Sequence, residues 1–84
     1  LNPDFALKIA VQQNNAALFK KLVLKFNESV NMNKFVEFVM DSSQGIKNVY
    51  SSYANISVYT KSLLKNETDF VFSISDVDMI LHSH

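Results

Sequence analysis

The only histidines in this chain, His82 and His84, stand two apart at its end, with Asp78 four residues before His82. Imidazole nitrogen and carboxylate oxygen at that spacing are the ligand types of a small metal site on one helical face. Imidazoles at a terminus are ordinarily a solvated tail, so no metal and no cofactor are expected. Glu37 and Asp41 are also four apart, which brings two carboxylates to one side of a helix. Acid–base catalysis needs such a pair to converge in a pocket. These two flank Phe38 and Val39 and read as the wet side of an amphipathic helix. Asp76 and Asp78 suit a helix start, where the backbone dipole favours acids. Ser42-Ser43 and Ser51-Ser52 have no base nearby in sequence and no nucleophile-elbow glycines. No catalytic residue is assigned, and no enzyme is expected.

Lys8, Lys20, Lys21 and Lys25 form the one basic patch. Every basic residue is lysine, so the bidentate fork that reads phosphates and bases is missing. Net charge is zero but polarised: +3 over residues 1–27, −1 over 28–47 and −2 over 48–84. Nucleic-acid domains carry a clear basic excess, so a specific nucleic-acid partner is not expected. A small helical nucleic-acid-binding domain using that lysine face stands as the second reading, with weak, salt-sensitive affinity.

Ten aromatic rings, Phe5, Phe19, Phe26, Phe35, Phe38, Phe70, Phe72, Tyr50, Tyr53 and Tyr59, are many for one small core. The surplus is expected at a partner-facing surface, with Phe70, Phe72, Tyr50 and Tyr53 as its residues. The partner is another protein or a second copy of the chain. A third reading lines a cavity with the same rings, as in a lipid or small-ligand carrier. Asn27-Glu28-Ser29, Asn55-Ile56-Ser57 and Asn66-Glu67-Thr68 are glycosylation acceptor patterns, which matter only for a secreted eukaryotic protein.

What must position these residues is helical. Gly45 and Pro3 are the only glycine and proline in 84 residues, too few for the tight turns of a small sheet protein. Asn2-Pro3-Asp4 reads as cap, first helical position and dipole-matched acid, and opens a mostly buried helix to about Gln13. Asn14-Asn15 punctuates. A second helix then runs from Ala16 to Phe26 with Leu18, Phe19, Leu22, Val23 and Phe26 inward, antiparallel to the first. Asn27–Asn33 is a polar connector. Phe35, Phe38 and Val39 open a stripe that continues through Ser42, Ile46, Val49, Tyr50 and Tyr53, with a break expected at Asp41-Ser42-Ser43. Ile56, Tyr59 or Thr60, Leu63 and Leu64 make a fourth stripe. Phe70, Phe72 and Ile74 alternate as a short extended segment, and Ser75 with Asp78 caps a final helix. The sequence thus predicts an all-α fold, a compact bundle of four to five short helices with an N-terminal antiparallel hairpin, an extended segment near 70–74 and a C-terminal helix.

Ala6-Leu7-Lys8-Ile9-Ala10, Asn14-Asn15, Leu18-Phe19-Lys20 and Leu22-Val23 together resemble the helix pair of an ankyrin repeat over about 20 residues. Asp4-Phe5-Ala6 replaces that family's threonine-proline start and Asn14-Asn15 its glycine-histidine. No second copy follows one period later, so the resemblance implies no more than a compact helical hairpin.

The chain is long enough for one domain, 1–84. It starts at Leu1, not methionine, and is expected to be part of a larger polypeptide. Hydrophobic residues make up 48%, and there is no cysteine, so neither a disulfide framework nor a redox compartment can be read. No apolar run approaches the ~20 residues that crossing a bilayer requires. Localisation is unknown, with an intracellular site slightly favoured. The function expected is a non-enzymatic protein–protein interaction or self-association module, a docking or scaffold unit.

Overall fold

Side-chain caps decide where the helices begin. In the computed structural model, which describes residues 2–65, Asn2 Oδ1 accepts the Asp4 N–H at 3.0 Å and starts α1 (Pro3–Gln12). Asn15 Oδ1 accepts the Leu18 N–H at 3.1 Å and starts α2 (Ala16–Phe26). Asn31 opens a 3₁₀ turn (Met32–Phe35) that runs on into α3 (Val36–Met40). Ser43 caps α4 (Gln44–Tyr53) and Ser57 caps α5 (Val58–Leu63), each hydroxyl accepting an N–H three residues on. Each cap satisfies one of the N–H groups that a helix start leaves unpaired, for roughly 1 kcal/mol. The described residues are 72% helix, without a strand.

Between α1 and α2 the chain reverses in a Schellman turn. Asn14 takes the left-handed conformation (φ 54°), its N–H bonds the Val11 carbonyl, and the Asn15 N–H reaches the Ala10 carbonyl. Asparagine is the non-glycine residue that tolerates this conformation best, which is how a chain with one glycine makes a tight corner.

The core is Leu7, Ala10 and Val11 of α1, Phe19 and Val23 of α2, Met32, Phe35 and Val39 of the middle segment, Ile46 and Tyr50 of α4, and Ala54. Fully burying a large apolar side chain stabilises by about 1.5–3 kcal/mol, so this cluster carries the fold.

Contacts fix the arrangement. α2 lies beside both α1 and α4. Ala16 abuts Gly45, Phe19 sits 6.4 Å from the Tyr50 ring, and Asn27 bonds the backbone at Tyr53 and Asn55. Start meets start and end meets end, so α2 and α4 run parallel. Asp4 pairs with Lys34 at 2.5 Å, while Val11 and Gln12 border a small cleft with Phe38, Asp41 and Ser42. The 3₁₀ turn and α3 therefore run alongside α1. The molecule is a hairpin, α1–α2, with a second hairpin, α3–α4, laid on it in the same direction, and α5 contacting α3.

The ties between successive units have similar spans along the chain. Among the described residues, the side-chain hydrogen bonds that tie one unit to the next span 24 to 30 positions: Asp4–Lys34, Asn14–Ser43, Asn27–Tyr53, Asn27–Asn55, Asn33–Ser57 and Asn33–Thr60.

Several expectations are corrected. α1 stops at Gln12, with Gln13 as its C-cap, and is buried on one side only, since Phe5 is 62% exposed. α5 starts at Val58, and Ile56 of the expected stripe packs against the core from the connector before it. Thr60 points inward and Tyr59 outward, because the Thr60 hydroxyl can donate to Asn33 Oδ1 at 2.8 Å. The break at Asp41-Ser42-Ser43 is present between α3 and α4. The segment near 70–74 and the final helix lie outside the described residues.

Candidate interaction surface

Tyr50 and Tyr53 share α4 but not a role. Tyr50 is fully buried, its hydroxyl donating to the Met32 carbonyl, so the expectation that it faces a partner is overturned. Three residues turn a helix by about 300°, enough to leave Tyr53 at the edge of the stripe, 41% exposed. Burial pushes the Tyr50 hydroxyl up to about 12, against a smaller opposing effect from the Phe35 backbone. A phenol held neutral and hydrogen-bonded in this way is a core residue.

Tyr53 forms a ridge with α2. The Lys20 ammonium stands over its ring, 4.4 Å from the centroid, and Leu24, one turn further along α2, is 56% exposed. Cation, ring and leucine thus lie on neighbouring helices of two hairpins. Attraction of an ammonium to an aromatic face, about 0.5–1 kcal/mol at an exposed site, orders both side chains without covering them.

The basic patch is divided by this arrangement. Lys21 and Lys25 are exposed on α2, Lys8 is exposed on α1, and half-buried Lys20 is engaged with Tyr53. Lys25 also stands 5.5 Å from the Phe26 ring centroid. Phe70, Phe72, His82, His84 and Asp78 lie outside the described residues. Among the described residues, no three of His, Cys, Asp and Glu converge as metal ligands. Glu37 and Asp41 are both exposed on and just after α3.

The feature that sequence reasoning missed is the asparagine clamp. Asn27 Nδ2 donates to the Tyr53 carbonyl at 2.8 Å, and its Oδ1 accepts the Asn55 N–H at 2.7 Å. Asn33 Oδ1 accepts the Ser57 N–H and the Thr60 hydroxyl, both at 2.8 Å, while its Nδ2 donates to Asn31. One amide supplies both donor and acceptor, so each clamp satisfies irregular backbone that no helix can serve. Between the two connectors lies an open cleft of about 690 Å³, walled by 27–33 and 55–57. The side chains of Asn27, Asn31 and Asn33 are spent on the fold. The nitrogen that would carry a glycan at Asn27 is itself a clamp donor, whereas Asn55 is exposed. The signal available was a run of asparagines in both connectors, but partners so far apart in the chain cannot be paired from one sequence.

No helix among the described residues is long and apolar enough to cross a membrane. No family model, no curated protein and no solved structure matches this chain.

Proposed function

We propose that the chain is a non-enzymatic protein–protein interaction module, a short stack of helical hairpins presenting side chains across the boundary between units. The observation that carries this reading is the ridge of Lys20, Leu24 and Tyr53. There an exposed ring and an exposed leucine are held in place by a cation on a neighbouring helix. Exposed tyrosine is among the residue types that dominate binding energy at protein interfaces, and here a cation orders its ring. Stacked units that touch only their neighbours make extended recognition surfaces rather than deep reactive pockets. The reading gives Tyr50 no reactive role, since burial pushes its hydroxyl up to about 12 and seals it in the core.

The test is a photo-crosslinking side chain at position 53, with exposed Asn48 as control position, in concentrated protein and in lysate of the source cell. Crosslinks to a defined species from 53 and not 48, lost on Leu24→Lys, are the expected result. Equal capture from both positions, or none with a monomeric mass at high concentration, would remove the basis of the proposal.

A further inference from the structure

We infer that the flank of the first hairpin turned away from α4 is a docking surface for another amphipathic helix pair with an acidic edge. This rests on the interaction reading and names a second surface and its partner. On α2, Ala16 and Lys20 face α4. Leu18 and Leu22 stand two positions further on, about 200° around the helix, and so occupy the opposite flank. Both touch the core yet stay half-buried. On α1, Asp4 faces Lys34 of the second hairpin, and Ala6 and half-buried Ile9 lie on the far side. The result is a half-buried four-residue apolar patch spanning both helices, on the flank opposite the one that faces α4.

The fold indicates what shape fits. The second hairpin already packs on the other flank of α1–α2 in parallel, so a helix pair is the object this hairpin is built to stack against. Charge indicates the partner's edge. Exposed Lys21 and Lys25 each follow a patch leucine by three positions, on the same side of α2. Of the nearby acids, Glu28 lies beyond the end of α2, and Asp4 is bound to Lys34 on the other flank. Two first hairpins placed face to face with α2 on α2 would oppose these lysines to themselves, and with α2 on α1 would offer them no acid but Asp4, already paired with Lys34. The outward flank of α4, two positions on from Gly45 and Val49, carries Lys47 and Ser51 and lacks a matching apolar stripe. A second copy therefore fits poorly by either route, and an acidic-edged helix pair fits well.

The probes are a synthetic antiparallel helix pair with a leucine stripe edged by glutamates, and its twin edged by lysines. The whole 84-residue chain is titrated with each and followed by backbone NMR. The acidic twin should bind about tenfold or more tightly than the basic one, with shifts centred on Ala6, Ile9, Leu18 and Leu22. Leu22→Glu should abolish binding. Lys21→Glu with Lys25→Glu, which leaves the apolar residues untouched, should reverse the preference. Equal binding of the twins, shifts confined elsewhere, or a homodimer that Leu22→Glu dissociates would each overturn the inference. Crosslinking from position 53 reports on the ridge separately, so one surface can fail while the other stands.

Discussion

A single amide can replace a length of secondary structure, and Asn33 does so. It holds the start of α5 through Ser57 and Thr60 while bonding Asn31 at the mouth of the 3₁₀ turn. Asn33→Ala should cost about 0.5–1.5 kcal/mol, read as a lower midpoint in urea denaturation, because it removes the acceptor shared by the Ser57 N–H and the buried Thr60 hydroxyl, which keeps Ser57 Oγ as its remaining partner. Tyr50 governs the alkaline limit. Its hydroxyl is neutral in the fold up to about pH 12, whereas in the unfolded chain it ionises at its ordinary value of 10. The unfolded state then binds fewer protons than the native state, so this contribution is whole below pH 10 and is lost as pH rises toward 12. Tyr50→Phe should lack that part of the decline in a series of melts across the window. The Asn2 cap was legible, because a cap acts within three residues. Asn27 and Asn33 were not, because their partners stand 24 to 28 positions away.

Helices were readable where periodicity was long, as in α2, whose bounds match the stripe from Ala16 to Phe26. They were less readable where a stripe passes through a break. Ile46, Val49, Tyr50 and Tyr53 continue one pattern, yet only neighbours decide that Tyr50 is enclosed and Tyr53 is left at the rim. Thr60 over Tyr59 was decided the same way, by a hydrogen bond that no hydropathy pattern contains. Gly45 is the weak point of α4. A methyl there would meet Ala16 Cβ at 3.7 Å and Ser43 Oγ at 3.8 Å, both ordinary contacts, and its φ is not positive. Gly45→Ala should therefore stabilise by roughly 0.5–1 kcal/mol, seen as a higher midpoint with unchanged denaturant slope.

At the scale of the whole molecule, α2 has a helix on each side, α1 and α4, while α5 leans mainly on α3. Protection from amide exchange should be greatest around Phe19 and Val23 of α2 and least in α5, falling outward from α2. Uniform protection across α1, α2, α4 and α5 would mean that the units do not behave as neighbours in a row. The all-α class was legible in the scarcity of glycine and proline. The stacking was not, because the residues that tie one hairpin to the other stand far apart in the chain.

Among the described residues the side-chain hydrogen bonds reach back no further than 30 positions, and the Phe19–Tyr50 and Lys20–Tyr53 contacts only 31 and 33, which also bears on how the chain acquires its shape. Each segment emerging from a ribosome finds its partner already made, since the piece it joins was translated just before. Low contact order of this kind favours quick assembly and leaves little time for sticky intermediates to meet one another.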